Sequence, residues 1–252
     1  MENQIIVNSL LISYTQTGTG ETAVIFLHGW RSNKEVWGKI VTSDKLKVTS
    51  LCYAIDLPGF GKSQIPKQEM RVGDYAEVVK EFIKKLELKN VCLVGHSFGG
   101  RVGIKLAAKY PQTISKLVLV DAAGFAMDQN KKTQMNSAAK IVKPFFKPAF
   151  MQSFRKKIYK AIGSEDYVAT PELQKTFVNI TSEDLSEDMK NIKCPTLIIT
   201  GAGDLDTPVE FGKRMNSLIQ DSKFVILPKA GHFSFLDNSE DFKETLKLFL
   251  KI

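Results

Sequence analysis

Residues 91–100 read V-C-L-V-G-H-S-F-G-G. Four apolar residues run into a glycine turn that holds one serine, and a helical pattern follows. Strand, glycine turn and helix in that order can cradle a phosphate or present a nucleophile. A dinucleotide site needs G-x-G-x-x-G, and Ser97 stands where the middle glycine belongs. A second stretch, D-L-P-G-F-G-K-S at 56–63, ends like a P-loop. Its first glycine would fall at position 56, which is Asp. Both nucleotide readings fail on residue identity. The nucleophile reading asks for G-x-S-x-G, with glycines where strand and helix crowd together. Gly95-His96-Ser97-Phe98-Gly99 supplies it.

Outward from this turn, short apolar runs recur at 10–14, 23–27, 48–55, 91–94, 117–120, 196–200 and 223–227. Most are continuously apolar, as strands covered on both faces of a parallel sheet should be. Amphipathic segments alternate with them. Val79, Phe82, Ile83 and Leu86 follow helical spacing, with Asp74 and Glu77 as a capping box, and Phe242, Leu246 and Phe249 repeat the stripe near the C-terminus. The alternation predicts an α/β fold. It breaks after Asp121 and resumes at Pro195, so residues 122–190 read as a helical insertion between core segments 1–121 and 191–252. Such an insertion would cover the carboxyl edge of the sheet, where open α/β sheets bind ligands.

The chain of 252 residues, 43% of them hydrophobic, can bury a full core. Its net charge of +8 is concentrated: Gln129 to Ser164 carries +9, leaving −1 for the rest. That local basicity argues against a nucleic-acid partner. No signal-like leader and no run of about 18 apolar residues is evident, so a cytoplasmic location is expected. Cys52, Cys92 and Cys194 have neither metal-site nor disulfide-framework spacing and read as reduced thiols.

A serine hydroxyl needs a base. Of three histidines, His96 flanks the serine and should point away from it, and His28 sits in L-H-G-W at a strand end. His232, on a loop after the last strand, is left as the base. An acid must then orient the imidazole; Asp204, Asp206 and Asp121 all follow strands. Two N–H donors must hold the oxyanion, and Phe98, after the serine, and Trp30, in H-G-W, are placed to supply them.

These segments resemble the α/β-hydrolase family, specifically its cap-bearing serine members. The resemblance rests on H-G-W (28–30), D-L-P-G-F-G-K-S (56–63), G-H-S-F-G-G (95–100), G-A-G-D-L-D-T-P (201–208) and A-G-H-F (230–233), in the family's order. It implies a mostly parallel sheet of about eight strands with the insertion as a cap. The family's G-x-x-D-x-x-x-P spacing selects Asp204. It also implies a serine hydrolase of small-molecule carboxylic esters with no metal or cofactor; thioesterase, amidase, C–C hydrolase and lyase activities, or slow turnover in a ligand-binding protein, are the alternatives. His28, Phe145, Phe146 and Phe233 are the expected substrate-lining residues. The basic insertion is read first as a solvated face, with an acidic membrane surface or an anionic substrate as sharper readings. The sequence leaves the oligomeric state open.

Overall fold

The computed structural model describes residues 2–43, 50–126 and 170–251. Eight strands form one sheet in the order β1-β2-β4-β3-β5-β6-β7-β8: β1 (Glu2–Val7), β2 (Leu10–Thr17), β3 (Thr22–Leu27), β4 (Ser50–Ile55), β5 (Cys92–His96), β6 (Lys116–Val120), β7 (Thr196–Gly201) and β8 (Ser222–Leu227). β2 runs antiparallel to β1 and β4, and every pairing from β4 through β8 is parallel. The α/β class and the eight-stranded, mostly parallel sheet are as the sequence implies.

Continuous apolarity in the central strands has a direct structural cause. Ile25, Leu27, Leu93, Leu117, Leu119 and Ile198 point into one buried layer, beneath α1 (Val72–Lys85) and α2 (Phe98–Lys109). Their alternates Val24, Phe26, Val94, Val118, Val120 and Ile199 point into the other. There Trp37 stacks on Phe235 at 4.1 Å, and Phe242 and Leu246 of the C-terminal helix complete the layer. Period-2 alternation thus feeds two cores, and neither face tolerates polarity.

Three differences from expectation have physical reasons. β1 is an edge strand with alternating exposure, too polar to register as an apolar run; it turns into β2 through Asn8 and Ser9, both at positive φ. The second concerns the start of α1. It is capped one turn earlier than expected, with Asp74 Oδ2 accepting from the Arg71 N–H at 2.7 Å. Glu77 instead pairs with Lys80 and the Tyr110 hydroxyl. The third is β2, which extends to Thr17, beyond its apolar start, because its polar half pairs with β4. Of the segment that the sequence suggests as an insertion, residues 122–126 and 170–190 are described, and the latter contain α3 (Gln174–Ser182) and α4 (Ser186–Lys190). α5 (Val209–Leu218) and α6 (Ser239–Leu250) complete the core. Cys52 and Cys92 lie buried on β4 and β5, and Cys194 precedes β7; all three are free thiols. Burial pushes the Cys52 thiol up to about 12. Among the described residues no helix is long and apolar enough to cross a membrane.

Candidate active site

Ser97, Phe98, Trp30, Asp204, Phe233 and His232 lie past the carboxyl ends of strands, on one rim of the sheet. Ser97 follows β5 directly and adopts φ 50°, ψ −110°. A non-glycine residue there stores strain on the order of 1–3 kcal/mol and needs its surroundings to hold it. The next strand supplies the restraint. The Ser97 N–H donates to Val120 O at 3.0 Å, and Ser97 O accepts from the N–H groups of Ala123 at 3.2 Å and Gly100 at 3.0 Å. The flanking glycines are required by space: a Cβ on Gly95 would collide with the Gly99 carbonyl, and one on Gly99 would stand 2.5 Å from Leu27 O.

His232 lies on the loop after β8, and Asp204 on the loop after β7. His232 Nδ1 is 3.0 Å from Asp204 Oδ2 and 3.2 Å from Oδ1. Asp204 is buried and also accepts from the N–H groups of Asp206 and Thr207 and from Thr207 Oγ1. Burial pushes its carboxyl upward, but the His232 and Thr207 bonds outweigh this and hold it below the usual carboxylate range. For His232, burial lowers the pKa, while the bond and charge of Asp204 and the charges of Asp206 and Asp121 raise it; the net shift is upward. An acid that stays ionised beside a base whose imidazolium it favours is the arrangement that fixes a tautomer. Asp206, exposed on the same loop, contributes charge at a distance. Asp204, Asp206 and His232 place ligand-type atoms within 4.8 Å of one another, the one such group among the described residues. The Asp204 oxygens are committed to His232, Thr207 and backbone donors, so the group reads as an oriented base.

His96 and the glycine of H-G-W join these parts. His96 Nε2 donates to His232 O at 2.7 Å, and the two rings stand 4.9 Å apart. Burial and the nearby His232 depress the His96 pKa to about 3, so the ring is neutral. A Cβ on Gly29 would lie 3.3 Å from the Ser97 Cβ, which sets the Trp30 loop against the serine. The Phe98 N–H opens α2, where the helix dipole favours negative charge. Among the described residues, neither the Phe98 nor the Trp30 N–H donates to another protein group. No hydrogen bond joins Ser97 Oγ to His232 among the described residues; such contacts commonly tighten only when substrate is bound.

The lining residues divide. Phe233 is 41% exposed with its ring 4.9 Å from that of His96. Trp30 packs against Phe60, Phe98 and Phe177. Phe145 and Phe146 lie outside the described residues. His28 does not line the site. It is fully buried, Nδ1 donates to Gly29 O at 2.7 Å, and Nε2 accepts from the Leu57 N–H at 3.0 Å. Burial lowers its pKa to about 4. Both nitrogens serve the backbone, and none is left for a substrate.

Sequence reasoning missed two supports. Thr207 Oγ1 lies 2.6 Å from Asp204 Oδ2 and 2.9 Å from Asp121 O, bracing the acid loop. Buried Lys34 donates its backbone N–H and its Nζ to the two oxygens of buried Asp56, each at 2.7 Å. This ties the loop carrying Trp30 to the loop after β4. The signal was a lone aspartate ending an apolar strand, but its partner 22 residues away has no spacing rule.

A family model described as the alpha/beta hydrolase fold matches residues 22–161. The chain is 24% identical over 260 residues to the 2-hydroxy-6-oxononadienedioate/2-hydroxy-6-oxononatrienedioate hydrolase of a Pseudomonas species, covering 95% of this chain and 91% of that protein. It is 25% identical over 256 residues to the pimeloyl-[acyl-carrier protein] methyl ester esterase of Wigglesworthia glossinidia brevipalpis, covering 93% and 95%. The crystal structure of an esterase from Exiguobacterium antarcticum superposes with a TM-score of 0.79 at 24% identity, covering all of both chains.

Proposed function

The chain belongs to the alpha/beta hydrolase fold family and is a hydrolase, and from that premise we propose that it cleaves carboxylic esters through a Ser97 acyl-enzyme. In this reading Ser97 Oγ attacks the acyl carbon while His232 Nε2 takes its proton. Asp204 keeps the other imidazole proton on Nδ1 and stabilises the cation. The Phe98 and Trp30 N–H groups receive the oxyanion, a term worth about 3 kcal/mol per donor. His232 returns the proton to the leaving alkoxide, and water then repeats the sequence to release the acid.

The observation that carries the reading is the pairing of Ser97, strained at φ 50°, with a His232–Asp204 couple at 3.0 Å on the same rim. A structural glycine turn has no need of a buried carboxylate oriented on a loop histidine. The methyl ester esterase among the relatives supports ester chemistry. A second reading, hydrolysis of a carbon–carbon bond, is supported by the dienedioate hydrolase relative, which matches over 95% of this chain.

The test is labelling with a fluorophosphonate followed by kinetics on p-nitrophenyl esters of graded acyl length, with a vinylogous 2-hydroxy-6-oxo-dienoate as a separate arm. The expected result is labelling that disappears in Ser97→Ala, and ester turnover that falls with it by about 10⁶-fold. Turnover of the dienoate with negligible ester cleavage would favour the second reading. An unlabelled wild type would dismiss both.

A further inference from the structure

The mechanism leaves two buried carboxylates unused, Asp56, which Lys34 neutralises, and Asp121. Asp121 follows β6, is completely buried and adopts φ 45°, a left-handed conformation that few non-glycine residues accept. Its two oxygens serve different loops. Oδ1 accepts from the Gly201 N–H at 2.8 Å, where β7 gives way to the loop that carries Asp204. Oδ2 accepts from the Ser234 N–H at 3.0 Å, two residues beyond His232. The backbone of the same segment holds the third partner. Val120 O and the Ala123 N–H bracket Ser97, and Asp121 O lies 2.9 Å from Thr207 Oγ1.

Resting on the serine-hydrolase reading, we propose that Asp121 is the positioning residue of this site, a carboxylate clasp that sets the acid loop against the base loop. The residue does not touch the reacting atoms. Its contribution is geometric, because the 3.0 Å contact between His232 Nδ1 and Asp204 Oδ2 joins two loops that are 28 residues apart in the chain. It is also electrostatic, since its charge is one of those that favour the His232 imidazolium. The titratable groups around the pair are Asp204 and Asp206 on the acid loop and His96 on β5. Of these, Asp204 bears directly on Asp121, whose carboxyl burial pushes up to about 6. Keeping an ionised carboxylate in such a place costs stability at neutral pH, so a role only in folding would be better served by a neutral side chain.

Asp121→Asn separates the possibilities. The amide keeps the shape and one acceptor but turns an N–H toward one of the two backbone donors, so one loop loses its partner. The expected outcome is a folded protein in which kcat for a short p-nitrophenyl ester falls about 10–100-fold, the scale of a misoriented group, with KM within about twofold. The acid limb of kcat/KM should move to lower pH, because a charge that favours protonated His232 has gone. If the asparagine variant does not fold, Asp121→Ser, which is smaller and still an acceptor, carries the same readouts. An unchanged kcat and acid limb would overturn the proposal. So would a parallel loss of Tm and activity with no movement of the acid limb, which marks a structural residue. A loss as deep as that of Asp204→Asn would make Asp121 the acid itself and would also overturn it. Fluorophosphonate labelling of the wild type at Ser97 is the control: if it is absent, the hydrolase reading fails first, whatever Asp121 does.

Discussion

In the proposed mechanism the serine hydroxyl acquires its reactivity from the charge states around His232. That base works only when neutral, and its pKa is raised because the bond and charge of Asp204 outweigh burial. The sign follows directly: kcat/KM should rise with pH through a midpoint above the ordinary histidine value, and a profile already flat at about pH 6 would contradict the arrangement. Asp204→Asn removes the charge and allows the wrong tautomer, so kcat should fall about 10⁴-fold while the protein still binds ester, as steady-state kinetics can resolve. The acid limb of any residual activity should move downward in pH. His28 illustrates the opposite use of the same side chain. Fully buried and bonded through both nitrogens to backbone, it remains neutral and holds Leu57 in place.

Elements meet at the elbow with no spare volume. β5 delivers Ser97, α2 departs from it, and the adjoining β3 passes so close that Leu27 O occupies the space a Gly99 side chain would need. Gly99→Ala should therefore destabilise by about 1–3 kcal/mol, read as a lower urea midpoint, and should slow fluorophosphonate labelling as the elbow relaxes. A variant of wild-type stability and reactivity would show that the strand and helix can part without consequence. The two faces of the sheet explain why the strands were easy to find. Ile25 and Phe26 are neighbours in sequence yet belong to different cores, so both must be apolar. β1 escaped notice for the complementary reason, since one of its faces is wet.

At the scale of the whole molecule, the helix that follows Ser97 also holds both ends of the segment between β6 and β7. Buried Arg101 donates through Nη1 to Phe125 O at 3.1 Å and through Nη2 to Glu183 O. One turn on, Lys105 meets Glu183 and Asp188 at 2.8 and 2.6 Å. The outgoing and returning chains are thus fastened to α2, which begins next to Ser97. Arg101→Met would leave two carbonyls without their donor, and a loss of about 2–3 kcal/mol in urea unfolding is expected. If stability changes by less than about 0.5 kcal/mol, water has replaced the guanidinium and the fastening is not structural. Because the clamp sits on the helix that positions the Phe98 N–H, the variant should also lower kcat more than it raises KM.

Much of this protein could be read from the chain alone. A continuously apolar strand can exist only between two covered faces, and a serine framed by glycines at 95 and 99 fits only a turn without room for side chains. Those are local, steric facts, and local sequence records them. With three histidines, elimination also pointed to His232. What only the tertiary structure decided was which side chains share hydrogen bonds across long intervals. The Leu57 bond to His28 Nε2, the Lys34–Asp56 tie and the two-loop clasp of Asp121 depend on residues 22 to 113 apart in the chain being brought together. A hydrogen bond forms over about 3 Å of space and has no preferred separation along the chain, so no spacing rule could have announced it.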